Sequence, residues 1–245
     1  MWFLLQVHLF LSTIPQSKTL YIPESVKFAS MKEQEILSKA NIFIESQGFH
    51  LMTRKDIPRF LECATEAYGS ITYALDDYFV GHPCTKEEVR EMWLFNLKYF
   101  YTRALIYSDS PDCNAWLLWI PPGCKGVSVI NFIRYGGIRL TLKLGLPALK
   151  RIMHYEDYSA SVRLNATGGR EWYWYNLVVR PEAQGQHLVG KLLRPMLDYC
   201  AQNGRPAYLE THSEKNVGIY RHFGFEVVSD GTITGTEVTH WGMVK

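Results

Sequence analysis

The sequence predicts an α/β fold with mixed strand pairing, chiefly from the pattern of residues 172–244. Trp172–Val179 (WYWYNLVV) is an unbroken run of apolar, aromatic and β-branched residues, as expected of a strand covered on both faces. Apolar residues then recur every four positions up to about Asn203, which predicts a helix that Gly204 ends. A strand, a helix and two strands follow: Ala207–His212, Glu214–Phe223, Phe225–Ser229 and Val238–Val244. This order of elements is typical of an α/β protein.

The residues before this part predict further helices and strands. Asp56 can cap a helix whose apolar residues share one face, and Thr85–Glu88 (TKEE) is a capping box that begins another. Residues 126–156 are expected to be helical in pieces that end at helix-breaking residues, near Gly136-Gly137 and near Gly145–Pro147. Two strands are predicted between these helices: Arg103–Ser108 and Asn114–Ile120.

The composition indicates an ordinary globular protein. The 245 residues are 47% apolar and 20% charged, with a net charge of +2, which argues against disorder, a coiled coil or a general affinity for nucleic acid. No apolar run reaches the roughly 18–20 residues of a membrane helix. The five cysteines are widely spaced and form no CxxC pair, which favours reduced thiols in the cytoplasm over disulfides or a metal site.

The N-terminus is predicted to be an extension, residues 1–47, of a domain that spans residues 48–245. Its first twelve residues (MWFLLQVHLFLS) are apolar but lack a basic flank and a cleavage site, so a signal peptide is the weakest interpretation. An added strand, a stretch translated from an upstream start and a membrane attachment remain open. An amphipathic helix is expected at Met31–Glu45.

Two segments suggest a binding site. Arg180–Leu193 (RPEAQGQHLVGKLL) joins a buried strand to the start of a helix, where free backbone N–H groups and the helix dipole attract phosphate. Asn216 and Tyr220 are four residues apart on a short helix, so they share a face and can point at one ligand. Either segment alone is common in α/β proteins.

In this order and spacing, the two segments resemble the GNAT superfamily of N-acetyltransferases. The strand NLVV, the turn PEAQGQHLVGKLL, the strand AYLETH and the segment NVGIYRHFGF carry the resemblance, which is strong over residues 172–228 and plausible over residues 49–245. It implies a GNAT-like mixed, mostly antiparallel central sheet flanked by helices. It also implies acetyl-CoA as co-substrate, with no metal.

The resemblance also implies which residues bind the co-substrate. Backbone groups of the strand would meet the pantetheine arm, the turn would bind the pyrophosphate with Lys191 adding charge, and Asn216 would contact the cofactor. Tyr220 would lie near the thioester sulfur and protonate the departing thiolate. The residues so assigned are Leu177, Val178, Val179, Gln184, Gly185, Gln186, His187, Leu188, Val189, Gly190, Lys191, Asn216 and Tyr220.

The turn departs from the family pattern at two positions. His187 and Val189 stand where the family usually has small residues, and a side chain there could crowd the phosphates. This departure keeps a second interpretation open, a non-catalytic protein of the same fold that binds an acyl-CoA or another metabolite.

The expected reaction is direct attack of an amine on the thioester in a ternary complex. Glu210 and His212 are candidate bases because they alternate onto one face near a strand end, and the amide of Val179 could polarise the thioester carbonyl. The acceptor is expected to be an amine of a small molecule or peptide, held by Tyr68–Pro83 and residues 126–160. Aromatic residues that could line its pocket are Tyr68, Tyr73, Tyr78, Phe79, Trp116 and Trp119. No nucleic acid or membrane partner is expected, and Val238–Val244 could pair across a homodimer.

Overall fold

A seven-stranded sheet forms the centre of the computed structural model, which describes residues 24–69, 74–124 and 126–245. The strand order is β1-β2-β3-β4-β5-β7-β6, and among these strands only β4 and β5 pair in parallel. The predicted mixed, mostly antiparallel fold class is therefore confirmed. The strands are β1 (His50–Leu51), β2 (Leu105–Ser108), β3 (Ala115–Ile120), β4 (Trp172–Val179), β5 (Ala207–Thr211), β6 (Glu226–Thr232) and β7 (Thr239–Val244).

Helices cover both faces of this sheet. Short 3-10 turns, Arg54–Asp56 and Pro181–Ala183, precede α2 and α7. The helices are α1 (Glu24–Ser46), α2 (Ile57–Gly69), α3 (Ala74–Val80), α4 (Lys86–Phe100), α5 (Val129–Arg134), α6 (Gly137–Thr167), α7 (Leu188–Gln202) and α8 (Glu214–His222).

Local signals in the sequence account for most helix boundaries. The Thr85 hydroxyl accepts from the Glu88 amide and the Glu88 carboxylate accepts from the Thr85 amide, so the predicted capping box begins α4. Both predicted breaks occur, because Gly136 and Gly145 adopt φ angles of 103° and 83°, which favour glycine. The helix α3 lies within the segment Tyr68–Pro83, for which the sequence predicted no helix.

The sheet has a separate apolar core on each face. On one face, α1, α7 and α8 bury Trp119 and Trp172, and on the other, α2 and α4 bury Trp116. Ala40 and Ile44 of α1 are fully buried in the first core. The described part of the predicted extension therefore contributes to the same core as the rest of the chain. Its helix, α1, begins at Glu24, whereas the sequence predicted a start at Met31.

The last strand of the chain, β7, lies between two other strands of the sheet. β7 pairs with β5 along one edge and with β6 along the other, so the prediction that it pairs across a dimer is wrong. The backbone groups along both edges of β7 already form hydrogen bonds within the sheet. In the described sheet, the outer strands are β1 and β6.

The predictions for residues 1–12 lie outside the described residues. In the described part of the chain, no helix is both long enough and apolar enough to cross a bilayer.

The packing of β7 against β5 yields a stability prediction. A Cβ atom at Gly242 would lie 2.7 Å from the hydroxyl oxygen of Tyr208, a fully buried ring. We expect Gly242→Ala to lower the free energy of unfolding by about 1–3 kcal/mol, because the core must shift to accept the methyl group. Urea denaturation measures this change.

Gly218→Ala is the matched control. Gly218 lies in α8 with no heavy atom within 4 Å of an added Cβ, so alanine should stabilise the protein by about 0.5–1 kcal/mol. Equal stability of the two variants would contradict the packing described for Gly242.

Candidate acyl-CoA site

The site begins where β4 and β5 separate. The two strands pair only from Trp172 to Trp174 on β4, opposite Ala207–Leu209 on β5. Along the other edge, β4 continues its pairing with β3, but the register skips Tyr175 between Trp174 and Asn176. This bulge redirects β4, and its edge facing β5 has no strand partner beyond Trp174.

Backbone groups of Leu177 and Val179 face that open edge. The Arg180 amide donates to the Asn114 carbonyl on the β3 side at 2.8 Å, and successive residues of an antiparallel strand direct their backbone groups to opposite edges. The Tyr68 hydroxyl donates to the Leu177 carbonyl at 3.2 Å from the open side, in agreement with this orientation. Val178 directs its backbone groups toward β3, and its side chain is buried.

The turn after β4 leads directly into the N-terminus of α7. Gly185 and His187 both adopt left-handed backbone conformations, with φ angles of 80° and 59°. The first amides of α7, which begins at Leu188, have no acceptor within the helix and face the turn. Arg180 fixes the start of the turn by binding Glu66, Glu62 and the Cys113 carbonyl.

A cavity of about 370 Å³ connects the open edge, the turn and α8. This volume is within the usual range of small-molecule sites. His187 is exposed and Val189 is half-buried, and both line the cavity without closing it. Predicted site residues on its wall are Leu177, Val179, Gln184, Gly185, His187, Leu188, Val189, Glu210, Asn216 and Tyr220.

Three predicted turn residues face elsewhere. The Gln186 side chain donates to the Glu182 carbonyl at 3.1 Å. A Cβ at Gly190 would face Arg194 and Phe223, and the Lys191 amide already donates to the His187 carbonyl. Their proposed contacts with the cofactor stay predictions.

Asn216 and Tyr220 lie together on the cavity wall formed by α8. The Tyr220 ring packs edge-on against Trp174, with centroids 5.2 Å apart, which places it where β4 leaves β5. Burial raises the pKa of Tyr220 to about 12, so its hydroxyl keeps its proton at neutral pH.

Glu210 is the centre of a buried hydrogen-bond network between α6 and the sheet. Its carboxylate accepts from four hydroxyls at 2.7–3.1 Å and lies near two cationic or titratable groups, Arg163 at 3.8 Å and His240 at 3.5 Å. Burial alone would raise its pKa, but His240, Arg163 and the hydroxyl donors lower it to about 2. The four hydroxyl donors belong to Tyr155, Ser159, Tyr173 and Tyr208.

His212 lies next to this network. Its ring packs against His240 and Tyr155, with centroids 5.4 and 5.5 Å away. Burial, with the nearby His240, lowers the pKa of His212 to about 4, so the imidazole is neutral at pH 7. The predicted role of Glu210 or His212 as base stays a prediction, and both side chains have weak basicity in these surroundings.

Glu156 is a candidate that the sequence did not indicate. It projects from α6 and accepts a hydrogen bond from the Tyr175 hydroxyl at 3.3 Å, at the bulge where β4 turns away from β5. The carboxyl is accessible to solvent yet has protein packed around it. This packing, together with the charge of Glu210, raises the pKa of Glu156 to about 7.

The aromatic residues proposed for the acceptor pocket separate into different environments. Tyr68 lines the cavity, whereas Trp116 and Trp119 are fully buried in the two cores, so the prediction that these tryptophans line a pocket is wrong. Tyr73 lies outside the described residues. Phe79 is buried against Tyr155.

Comparisons with known proteins agree with this geometry. The profile of the acetyltransferase (GNAT) family matches residues 144–225. An uncharacterised N-acetyltransferase of Schizosaccharomyces pombe is 34% identical over 113 residues, which cover 44% of this chain and 45% of that protein. The chain therefore matches under half the length of this curated relative.

Two solved structures share the fold. One is a Corynebacterium glutamicum protein described as histone acetyltransferase HPA2 and related acetyltransferase, with a TM-score of 0.52, 17% identity, and coverage of 80% of this chain and 95% of that chain. The other is the C-terminal condensation domain of Ebony in complex with β-alanyl-dopamine, with a TM-score of 0.57, 6% identity, and coverage of 80% and 97%. These findings confirm the predicted resemblance to the GNAT superfamily: residues 144–225 match its profile, and the chain shares its fold with these two structures.

The backbone of His187 yields a prediction about the turn. A non-glycine residue in the left-handed conformation costs roughly 1–2 kcal/mol, and a β-branched residue is poorly tolerated there. We expect His187→Gly to raise the free energy of unfolding by about 1 kcal/mol and His187→Val to lower it. Chemical denaturation of both variants measures the difference, and the opposite ranking would mean that the turn has another conformation.

Proposed function

We propose that the protein transfers an acetyl group from acetyl-CoA to an amine, by direct attack in a ternary complex. One observation carries the proposal: the unpaired edge of β4 leads into a turn of outward-facing amides, and the cavity that joins them also contains Tyr220. A strand edge can pair with an amide-containing chain, and a helix N-terminus can bind a diphosphate.

The residues present suit acetyl-CoA. Leu177 and Val179 offer backbone donors and acceptors to the amides of the pantetheine arm, and the amides from Gly185 to Val189 would bind the diphosphate. The Gln184 amide already donates to the Pro181 carbonyl. Bound acetyl-CoA would supply the activated acyl group as a thioester. The cavity is open beside His187 and Val189, which supports cofactor binding despite these two side chains.

Tyr220 suits the role of general acid. Its raised pKa keeps the hydroxyl protonated, and the ring lies on the cavity wall at the point where β4 and β5 separate. As the carbon–sulfur bond breaks, the Tyr220 hydroxyl would give its proton to the departing sulfur, which prevents the release of an unprotonated thiolate.

Glu156 suits the role of general base better than Glu210 or His212. An amine must lose a proton to attack, and a carboxylate whose pKa is near 7 can accept that proton at neutral pH. Glu156 is not among the residues that line the cavity, but its hydrogen bond joins it to Tyr175, which is, so the proton would reach Glu156 through water. The Val179 amide, which faces the open edge, would stabilise the oxygen of the carbonyl under attack.

The acceptor is proposed to be a primary amine of a small molecule or peptide. The curated relative is named an N-acetyltransferase, which supports transfer to nitrogen.

The location of the protein is proposed to be a reducing compartment such as the cytoplasm. All five cysteines are free thiols, which supports this proposal.

Thermal-shift measurements and a thiol-release assay test the proposal. Acetyl-CoA and CoA should raise the melting temperature, because ligands that bind only the folded state stabilise it. An amine panel should then release CoA thiol from acetyl-CoA. Binding without release on any amine would favour the binding-protein alternative, and no binding would contradict both.

Tyr220→Phe tests the general acid. The variant removes one hydroxyl from the cavity wall, so we expect kcat to fall about 10²-fold or more while the thermal shift with CoA is unchanged. Tyr199→Phe is a control on a buried tyrosine that does not line the cavity. Unchanged turnover in Tyr220→Phe would exclude Tyr220 as the acid.

Glu156→Gln tests the general base through both activity and stability. We expect kcat/KM of the wild type to decrease as the pH falls below about 7, because the base becomes protonated. The variant should have about 10²-fold lower activity, and its activity should no longer decrease in this pH range. Because the pKa of Glu156 is raised on folding, this carboxyl contributes to the free energy of unfolding at pH values below 4.5, its usual pKa. That contribution to stability is lost as the pH rises through about 7. Glu156→Gln should therefore raise the melting temperature at pH 8.

Asp157→Asn is the matched control, because the neighbouring carboxylate is exposed on the same helix. An active Glu156→Gln variant with the wild-type pH profile would exclude Glu156 as the base.

A further inference from the structure

Large exposed aliphatic side chains concentrate in one short part of the chain. The described residues include nine exposed large hydrophobic side chains, and five of them lie between residues 127 and 142. Ile130 and Leu142 are 69% and 60% exposed. We call these five residues the α5–α6 patch: Val127, Ile130, Ile133, Ile138 and Leu142.

The patch is built on a rigid corner between two helices. α5 ends at Tyr135, Gly136 takes a left-handed conformation, and α6 begins at Gly137. An added Cβ at Gly137 would lie 2.4 Å from the ring of Phe132, so α5 packs tightly against the start of α6. The exposed side chains therefore project from a defined surface of the protein.

The sequence segment that carries the patch has charged residues of one sign, and α4 contributes two carboxylates beside it. Between Asp112 and Glu156 the sequence contains six basic residues and no acidic residue. Arg139 and Lys143 bind Glu91 and Glu87 of α4. Arg134 and Lys150 are exposed. The six basic residues are Lys125, Arg134, Arg139, Lys143, Lys150 and Arg151.

We propose that the α5–α6 patch binds the surface of an anionic lipid bilayer. The aliphatic side chains would enter the boundary between headgroups and acyl chains, and the surrounding cations would attract anionic headgroups. This attachment is peripheral, in keeping with the finding that no described helix can cross a bilayer.

Charge complementarity favours a bilayer over a protein partner. A lipid surface accepts exposed aliphatic side chains without a matching shape, whereas a protein partner has to fit them closely. The absence of acidic residues over 113–155 in the sequence matches the negative potential of a cytoplasmic membrane surface.

Vesicle co-sedimentation of the full chain tests this proposal. We expect binding to phosphatidylcholine vesicles that contain about 30% phosphatidylserine, weak binding to phosphatidylcholine alone, and weakening by salt. The variant Ile130→Ser/Ile133→Ser/Leu142→Ser should lose about tenfold or more in partition coefficient, and Arg134→Glu/Lys150→Glu should lose about tenfold. The thermal shift with CoA should be unchanged in both variants, because none of the five substituted residues lines the cavity assigned to the cofactor, so this test is separate from cofactor binding.

Ile42→Ser/Leu164→Ser is the matched control, because these residues are 65% and 60% exposed away from the patch. It should bind as the wild type does. The proposal is overturned if the wild type does not bind anionic vesicles, or if the triple serine variant binds them equally well.

Two further outcomes would also overturn it. Loss of binding in Phe3→Gln/Leu5→Gln, with retention in the triple variant, would assign membrane binding to the N-terminal residues. A dimer that the triple variant dissociates, without any vesicle binding, would assign the patch to contact between two copies of the chain.

Discussion

The separation of β4 from β5 is the constraint on which the site depends. Three residue pairs hold the strands together, and the bulge at Tyr175 then turns β4 away. An unpaired strand edge in a protein interior must find other partners for its amides and carbonyls. The Tyr68 hydroxyl satisfies one carbonyl, that of Leu177, and the cavity leaves the edge accessible to a ligand.

The network around Glu210 explains how this opening is maintained beside a long helix. Hydroxyls from α6, β4 and β5 converge on one carboxylate, so α6 is tied to both strands at the point where they diverge. The same negative charge acts on its neighbour, because it contributes to the raised pKa of Glu156. A group that is fixed for structural reasons thus adds to the basicity of the group that we assign to proton transfer.

Features encoded by adjacent residues could be predicted from the sequence, whereas long-range contacts could not. The capping box at Thr85, the breaks at Gly136 and Gly145, and the strand at Trp172–Val179 each follow from local chemistry. The turn after β4 and the helix that carries Tyr220 were predicted as one site because their order and spacing along the chain resemble those of the GNAT superfamily.

The hydrogen bond between Glu156 and Tyr175 has no local signal, because it depends on how α6 crosses the sheet. The same reason explains Glu210, which the sequence presents only as a polar residue near a strand end. The buried positions of Trp116 and Trp119 depend on the helices that cover β3, which alternation along the strand does not specify.

The non-helical residue Gly145 divides α6 into two parts whose rotational settings are independent. In a continuous helix, inserting one residue turns everything beyond it by about 100°. At Gly145 the φ and ψ angles of 83° and 160° interrupt that relation. The first part of α6 can therefore be oriented by its ion pairs with α4, and the second part separately by the hydrogen bonds of Ser159 and Glu156 at the sheet. An inserted residue between Pro147 and Tyr155 would rotate Glu156 and Ser159 away from the sheet without disturbing the contacts with α4.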